Sequence, residues 1–302
     1  MAKLPAIAVT AVPRRRAQVL EMASEIEKRG YAGLYTPSTL GGMAFCEAMA
    51  VTTKSMPFGI SIAPIYSRTV DDFAMSAAFM HEMSGGRFSL GIGISHGPSL
   101  QRMGVVPGKP LADIRDFVTR YKAVEGYGEL APVVLAGMRR KMIELSGEIG
   151  DGLVFANAAR SAVSASIGYL PEECRTNPDW YIGCMTPTCI SDDVEAAKAV
   201  HRKTLWRYAQ LPNYRNYWKS VGFEEEMAGV EKCIADGNPE GIPHFLTDKW
   251  LSETTMFGTV SQVREQVEAW YDTGVKTPIV VPSSAAGNQL KAVQEVFDAF
   301  AA

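Results

Sequence analysis

A glycine followed by three cations stands near the middle of the chain, where a strand pattern changes into a helix pattern. The apolar run Pro132–Leu135 predicts the strand, Ala136–Gly137 follow it, and the helix pattern starts with Arg139, Arg140 and Lys141. A helix start presents unpaired N–H groups and a partial positive charge, and glycine lets an anion approach the backbone. The turn could bind phosphate, or its cations could point into solvent. Both interpretations stay open, because no complete GxGxxG or Walker motif is present.

A histidine follows another predicted strand. His96 comes after the glycine-containing run Phe88–Ile94 and is flanked by Ser95, Gly97 and Pro98, which predicts a loop position. An imidazole there could donate a hydrogen bond or act as an acid or base near neutral pH. The alternative is a histidine that only stabilises its loop. His96 is our candidate catalytic residue.

A proline stands near the end of the third predicted strand, Phe58–Ile65. Proline cannot extend a central hydrogen-bond ladder, and X-Pro bonds are the peptide bonds most often found in the cis form. Ala63-Pro64 is therefore either a cis bond that shapes a site or a trans proline that ends the strand.

Several other functions find no support in the sequence. There is no GxSxG or HExxH motif, and the five cysteines show no metal-binding spacing, so we predict no metal site. We interpret the cysteines as buried free thiols of a cytoplasmic protein. The net charge of -3 argues against a nucleic-acid partner. The longest nearly apolar run, Phe58–Tyr66, is too short to cross a bilayer, so no membrane partner is expected.

The elements that must position these residues alternate between strand and helix along the 302 residues. Such alternation predicts a parallel sheet, and eight units in a chain of this length favour an α/β fold of the (β/α)8 TIM barrel type. The eight strand-like runs are Ala6–Val9, Leu34–Thr36, Phe58–Ile65, Phe88–Ile94, Pro132–Leu135, Leu153–Ala156, Tyr181–Ile190 and Thr277–Val281.

Active sites of such barrels lie at the carboxyl ends of the strands. The ends of the first three strands give Thr10, Thr36 and Tyr66, which we predict to line a substrate pocket. The stretch from Leu211 to Phe257 interrupts the alternation. It is too apolar for a linker, so we predict an inserted helical subdomain before the last strand, able to act as a lid, within one barrel domain over residues 1–302.

Four stretches resemble a known family. They are Tyr66–Thr69, the run Met83–Pro98 that contains SGGRF and LGIGISHGP, and Val134–Arg139 together with Gly147–Gly152. The sequence is similar to the bacterial luciferase-like flavin oxidoreductases, and most closely to their branch that uses the deazaflavin coenzyme F-420. The resemblance implies a (β/α)8 barrel, with FMN as the alternative cofactor, a small-molecule substrate and a homodimer.

The resemblance also implies where the cofactor would lie. A bulge with a non-proline cis peptide at the end of the third strand would support the ring, and it maps to Ala63, Pro64 and Ile65. Residues Ser95, His96 and Gly97 would follow the ring or the ribityl chain. The phosphate would bind the backbone after strands five and six. The residues implied there are Ala136, Gly137, Met138, Arg139, Asn157 and Ala158, to which the cation cluster adds Arg140.

The sequence leaves three functions open. The first is hydride transfer between coenzyme F-420 and a small organic substrate. The second is an FMN-dependent two-component monooxygenase, which would need a separate cofactor reductase. The third is a flavin-binding barrel without catalysis, suggested by the lack of an acidic residue after the second strand, where Thr36-Pro37-Ser38 stand.

Overall fold

A computed structural model of the chain describes residues 3–301. Residues 1, 2 and 302, which belong to the predicted domain, lie outside the described residues. The strands are β1 (Ala6–Ala8), β2 (Leu34–Thr36), β3 (Phe58–Pro64), β4 (Phe88–Gly93), β5 (Val133–Ala136), β6 (Gly152–Ala156), β7 (Tyr181–Ile190), β8 (Met256–Gly258) and β9 (Thr277–Ser283). The helices are α1 (Arg16–Lys28), α2 (Gly42–Thr52), α3 (Val70–Ser84), α4 (Gly97–Arg102), α5 (Pro110–Lys122), α6 (Arg140–Ile149), α7 (Arg160–Ile167), α8 (Glu172–Thr176), α9 (Val194–Ala209), α10 (Pro212–Ser220), α11 (Glu224–Ala235), α12 (Asp248–Thr254), α13 (Val260–Asp272) and α14 (Gln289–Ala299).

The strands form a parallel sheet with helices between them. The order is β6-β5-β4-β3-β2-β1-β9-β7-β8, and β6 also pairs with β7, which closes the sheet. Strands β1 to β7 and β9 are the eight barrel strands, and the short β8 pairs in parallel with the end of β7. The prediction of a TIM barrel is confirmed. The eight runs were recognisable because parallel strands are buried on both faces and have nearly continuous apolar sequences.

Contacts divide the chain into two compact units. The first unit comprises residues 3–155 and 166–183, and it carries β1 to β5 and β6 up to residue 155, with the parallel pairings between these strands. The second unit comprises residues 156–165 and 184–301, and it carries most of β7 together with β8 and β9. The features of each unit are described separately below.

Local signals start or end several helices as general rules predict. The Thr69 side chain accepts a hydrogen bond from the Asp72 amide at the start of α3, and Gly85, with φ +65°, follows the end of that helix. Thr259 and Gln262 form a complete capping box at the start of α13. Both capping patterns can be read from the sequence, and the structure confirms them.

The predicted insertion is helical but ends earlier than expected. Helices α10, α11 and α12 and a 3-10 turn at Pro239–Phe245 fill the segment, and Trp218 and Trp250 pack edge to face in its core, with ring centroids 4.7 Å apart. Phe257, predicted as its last residue, lies instead in β8, paired with Cys189. A strand of three residues such as β8 is too short to show a hydrophobic pattern from which a strand can be predicted. The role of the segment as a lid stays a prediction.

The arginine of the SGGRF stretch, directly before β4, binds the loop that leads into β3. The Arg87 guanidinium donates to the Thr53 carbonyl and hydroxyl oxygens, both at 2.8 Å, and to the Met56 carbonyl oxygen at 2.9 Å. The Glu27 carboxylate accepts three consecutive amides of the same loop, including that of Met56 at 2.9 Å. Hydrogen bonds of charged groups contribute more than neutral ones, so Arg87 has a structural role.

The described residues hold no helix long and apolar enough to cross a membrane. Within residues 3–301, no three His, Cys, Asp or Glu side chains cluster closely enough to bind a metal ion. All five cysteines are buried free thiols, as predicted.

One histidine of the second unit is fully buried. The His201 Nε2 lies 3.0 Å from the Met256 carbonyl oxygen, and the ring packs against Phe257. Burial lowers the pKa of His201 from 6.5 to about 4. The imidazole is therefore neutral in the folded protein at neutral pH.

This burial predicts an acid-dependent loss of stability. Between pH 6.5 and about 4 the unfolded chain binds a proton at His201 that the folded chain does not bind. The free energy of unfolding should therefore fall as the pH falls through this window, by up to about 3 kcal/mol from this group. Urea unfolding at several pH values tests this, with a flatter pH dependence expected for His201→Phe. The exposed His244→Gln serves as control, and an unchanged slope in His201→Phe would contradict the assignment.

Candidate active site at the carboxyl ends of the strands

The first unit brings most predicted site residues to one edge. Strands β1 to β6 pair in parallel, so the segments that follow them lie at the same edge of the sheet. The predicted residues at or just after these strand ends are Thr10, Thr36, Ala63, Pro64, Ile65, Tyr66, Ser95, His96, Gly97, Ala136, Gly137, Met138, Arg139 and Arg140. We refer to this as the carboxyl edge.

The bulge in β3 lies before the predicted position. The pairing of β3 with β4 shifts between Ile60 and Ala63, and the peptide bond between Ser61 and Ile62 is cis. Ala63 already pairs with Ile92, so the bulge expected at Ala63-Pro64-Ile65 is wrong by about two residues. Pro64 continues the regular pairing instead of carrying the irregularity. A register shift depends on the partner strand and is not encoded locally.

Glycines of β4 make room for this bulge. A Cβ at Gly91 would lie 2.1 Å from the Ile60 carbonyl oxygen, and a Cβ at Gly93 would lie 2.9 Å from the Ile62 Cδ1 and 3.3 Å from the Ala136 Cβ. The Ile62 side chain therefore fills the space that Gly93 leaves open, beside the end of β5. The glycines shape the carboxyl edge through packing.

The bulge also carries a buried polar atom with no hydrogen bond to any described residue. This atom is the hydroxyl oxygen of Ser61, whose residue is 7% exposed. Buried hydroxyl groups are normally satisfied, because an unsatisfied one costs about 1–3 kcal/mol. The Ser61 hydroxyl is thus a donor and acceptor at the bulge that a bound molecule could use.

His96 starts a short helix through its backbone. Its carbonyl oxygen accepts the amides of Ser99 and Leu100, and its imidazole makes no capping hydrogen bond. Burial lowers the pKa of His96 below its usual value. The ring is half-buried and neutral at pH 7, so it could donate one hydrogen bond and accept another. Its catalytic role stays a prediction.

Tyr66 contacts a carboxylate that sequence analysis did not single out. Its phenol donates to the Asp113 Oδ2 at 2.5 Å, and the same oxygen accepts the Gly108 amide at 2.8 Å. Burial and then the nearby Asp113 raise the pKa of Tyr66. The only local signal is an acidic residue in the first turn of a helix that begins with Pro110. Asp113 is thus an acid in direct hydrogen-bond contact with a predicted pocket residue.

The other two predicted pocket residues differ in exposure. Thr36 is 0% exposed, and its hydroxyl donates to the Pro37 carbonyl oxygen at 3.4 Å, so the structure does not support its role in an open substrate pocket. Its apolar neighbours in a buried strand explain the burial. Thr10 is half-buried at the end of β1 and stays a candidate.

The turn between β5 and α6 has the features of an anion site. Arg139 precedes the helix, no side chain caps it, and no acidic residue occurs in its first turn. Arg139 and Lys141 are exposed. Arg140 is different, because its Nε donates to the Glu144 Oε1 at 2.7 Å along the helix. The structure therefore does not support the prediction that the Arg140 side chain binds phosphate.

Gly137 has a different role from the one predicted. A Cβ at this position would lie 2.8 Å from the Leu153 Cδ1, on the packed side of the turn. The glycine is needed because β6 lies close, which is a packing constraint. The structure gives no sign that it opens the backbone to an anion.

The turn after β6 belongs to the second unit, and its backbone amides already donate hydrogen bonds to other groups of the protein. The Asn157 amide donates to the Met185 carbonyl oxygen at 3.1 Å, and the Ala158 amide donates to the Cys184 thiol. The Ala159 amide donates to the Tyr217 hydroxyl at 3.1 Å. The prediction that Asn157 and Ala158 bind a phosphate through their backbone is not supported, because these amides have protein partners.

Helix α10 of the insertion supplies several hydrogen-bond partners of this turn. The Trp218 Nε1 donates to the Asn157 carbonyl oxygen at 3.0 Å, and Tyr214 hydrogen-bonds to the Asn157 side chain. Asn157 is 5% exposed and has φ +55°. The three aromatic side chains of α10, at Tyr214, Tyr217 and Trp218, therefore cover the turn that follows β6.

The role of the β4 glycines can be measured. We expect Gly91→Ala to lower the free energy of unfolding by about 1–3 kcal/mol, because the new methyl group would meet the Ile60 carbonyl oxygen. Gly97→Ala is the matched control, because nothing lies within 4 Å of a Cβ there. Chemical denaturation of both variants tests this, and equal stability of Gly91→Ala and wild type would disprove the packing argument.

Comparison with known proteins identifies the family. The family model of luciferase-like monooxygenases matches residues 5–277. A Mycobacterium tuberculosis protein named as a coenzyme F-420-dependent oxidoreductase is 23% identical over an alignment of 320 residues. The alignment covers 88% of this chain and 90% of the relative.

Solved structures show the same fold. The coenzyme F-420-dependent tetrahydromethanopterin reductase from Methanopyrus kandleri has a TM-score of 0.77 at 15% identity and covers 98% of this chain and 97% of its own. The oxygenating constituent of 3,6-diketocamphane monooxygenase from Pseudomonas putida, solved with FMN, has a TM-score of 0.63 at 13% identity. The match covers 98% of this chain and 97% of that protein. The chain belongs to the luciferase-like monooxygenase family.

Proposed function

We propose that the protein is a coenzyme F-420-dependent oxidoreductase that transfers hydride between the deazaflavin and a small organic substrate at the carboxyl edge. The observation that carries this proposal is the full-length similarity to the relative from M. tuberculosis, which is named for that coenzyme. The fold of the F-420-dependent reductase from M. kandleri supports it.

The residues of the first unit fit such a cofactor at two places. The β3 bulge, with the buried Ser61 hydroxyl and the Ile62 side chain, offers an apolar support with one polar group. The uncapped start of α6 beside Arg139 offers positive charge for an anionic tail. The turn at Asn157 and Ala158 does not fit, because its amides are engaged. Cofactor binding therefore falls on the first unit.

The deazaflavin supplies the hydride chemistry when bound, and the protein supplies binding, orientation and exclusion of water. The β3 bulge would orient the ring, because Ile62 is fixed against Gly93 and Ala136. A neutral His96 would hold a proton or accept a hydrogen bond at an imidazole nitrogen. Tyr66, held by Asp113, would form one wall of the substrate pocket.

Cofactor binding tests the proposal. We expect the protein to bind coenzyme F-420 with saturable quenching of deazaflavin fluorescence, and to bind FMN more weakly. The same titration with His96→Gln separates a role in binding from a role in the reaction, since only the former changes the Kd. Tight FMN binding without F-420 binding would refute the proposal. It would favour the two-component monooxygenase with a separate reductase, which the fold of the FMN-bound monooxygenase supports.

Saturable F-420 binding without turnover of any substrate in a panel would favour the third function, a non-catalytic flavin-binding barrel. A cytoplasmic location is part of the proposal and is supported by the five buried free thiols.

A homodimer is also part of the proposal. Helix α3 exposes Met75, Phe79 and Met83 by 48%, 51% and 48%, and Val51 of the adjacent α2 by 51%. The α3 positions are four residues apart and form one stripe. Aromatic residues and Met are enriched in interfaces, and a two-fold contact between identical stripes would bury both at once.

A dimer formed through this stripe predicts that a charged substitution in the stripe lowers the molecular mass in solution. We expect wild type to elute as a dimer in size-exclusion chromatography with light scattering, and Phe79→Glu to elute as a monomer, because a charge would be buried in the interface. Ile234→Glu replaces a similarly exposed apolar residue outside the stripe and should leave the dimer intact. A dimeric Phe79→Glu would show that this stripe is not the interface.

A further inference from the structure

One carboxylate of the first unit is bound by a phenol instead of a cation. The Asp113 Oδ2 accepts hydrogen bonds from the Tyr66 hydroxyl at 2.5 Å and from the Gly108 amide at 2.8 Å. Among residues 3–301, no Lys, Arg or His nitrogen lies within 4 Å of the Asp113 carboxylate. The charge of Asp113 is therefore stabilised by two hydrogen-bond donors and by no counter-ion.

Another carboxylate of the same helix shows the usual arrangement. The Asp116 Oδ2 lies 3.3 Å from the Arg120 Nη1 one turn further along α5, and protonation of Asp116 would break this ion pair. Protonation of Asp113 breaks no ion pair. A proton can reach its carboxylate along the hydrogen bond from Tyr66 when the phenol oxygen takes up another proton in turn. The contact between Tyr66 and Asp113 is therefore a path for a proton as well as a link between two loops.

The backbone holds both partners of this contact in place. Tyr66 lies in a tight turn, which the Ser67 amide closes by donating to the Pro64 carbonyl oxygen at 3.0 Å. Asp113 lies in the first turn of α5. A Cβ at Gly108 would lie 2.5 Å from the Asp113 Oδ1, so the loop before α5 packs closely on the carboxylate. The hydroxyl and the carboxylate thus meet in one arrangement before any ligand binds.

Tyr66 lies at the carboxyl edge, beside the loop that carries His96. The Ile65 amide donates to the Gly93 carbonyl oxygen at 3.0 Å, so Tyr66 is the first residue after the ladder between β3 and β4. None of the loops of the first unit at this edge contains Asp or Glu. These loops are residues 9–15, 37–41, 65–69, 94–96, 103–109 and 137–139. A carboxylate that serves this edge has to come from outside the loops, as Asp113 does.

The protonation state of the pair fits a proton relay. Burial and then the nearby Asp113 raise the pKa of Tyr66, so the phenol is protonated at neutral pH and is no base by itself. It can accept a proton only as it passes its own to Asp113. Both side chains are half-buried, so the carboxylate can afterwards release the proton to solvent.

We propose that Tyr66 is the acid–base residue of the hydride transfer and that Asp113 is the positioning residue with which Tyr66 exchanges its proton. This inference rests on the proposed function and deepens it, because it requires a substrate whose reduced form carries a hydroxyl group. When this alcohol is oxidised, its C–H bond breaks, and the hydride passes with both electrons to the deazaflavin. The hydroxyl proton moves to the Tyr66 oxygen while the Tyr66 proton moves to the Asp113 Oδ2, and a carbonyl compound remains. Reduction of a carbonyl compound reverses both transfers.

Oxidation of simple primary and secondary alcohols by coenzyme F-420 tests the proposal, with loss of deazaflavin fluorescence as the readout. Tyr66→Phe and Asp113→Asn should each lower kcat by about 10²-fold or more, the range of general acid–base catalysis, and leave the Kd for F-420 unchanged. In Asp113→Asn the amide oxygen can still accept the phenol and the Gly108 amide, but the group cannot take up a proton. The double variant should be no slower than either single variant, because the two groups act in series.

Two matched controls and two further readouts separate proton transfer from a structural contact. Asp116→Asn, on the same helix, and Tyr127→Phe, at an exposed tyrosine, should react like wild type. The kcat of wild type should fall at acid pH, where Asp113 holds a proton and cannot accept another, and Asp113→Asn should lack this fall. Without cofactor, proton NMR should show the Tyr66 hydroxyl proton as a slowly exchanging low-field signal that Tyr66→Phe lacks.

The outcomes separate the relay from the proposed function. Unchanged kcat in Tyr66→Phe, or an acid fall that persists in Asp113→Asn, would overturn the relay and leave the proposed function standing. Losses that multiply in the double variant, or a missing low-field signal in wild type, would also overturn it. F-420 binding without oxidation of any alcohol would overturn the relay and leave the proposed function to other substrate classes. If wild type binds no F-420, the proposed function fails, and the relay fails with it.

Discussion

The carboxyl edge depends on a steric constraint between two neighbouring strands. Strand β3 can bulge at Ser61 and Ile62 only because β4 has no side chains at Gly91 and Gly93, where added methyl groups would meet the Ile60 carbonyl oxygen and the Ile62 side chain. The bulge fixes Ile62 beside Ala136 and leaves the Ser61 hydroxyl without a hydrogen-bond partner among residues 3–301. The glycine-rich string that carries the family resemblance is thus explained by packing before any ligand is considered.

The sequence predicts the barrel well because its strands are buried and some of its helices carry standard caps, as at Thr69 and Thr259. It predicts the site less well because the relevant information is not local. The position of the bulge depends on the register with β4. The Ala159 amide and the Asn157 carbonyl oxygen after β6 are satisfied by Tyr217 and Trp218, 58 and 61 positions away. Asp113 reaches Tyr66 across 47 positions for the same reason.

The two turns that were expected to share one anion have opposite properties. The turn before α6 keeps an uncapped helix start beside Arg139, while the turn after β6 is buried and its hydrogen bonds are complete. The position in the fold alone would not distinguish them, because both turns follow parallel strands. Hydrogen-bond accounting does, since an amide that already has a buried acceptor gains nothing by exchanging it for a ligand oxygen.

The aromatic side chains of α10 make the insertion part of the hydrogen bonding of the barrel. Tyr214, Tyr217 and Trp218 complete the hydrogen bonds of Asn157 and Ala159, so the polypeptide after β6 cannot be satisfied by its own neighbours. A shortened chain without this helix would expose a bare carbonyl and a bare amide in a left-handed bend. The segment thus completes the hydrogen bonding of the scaffold, and its loss would leave polar groups around Asn157 that need other partners.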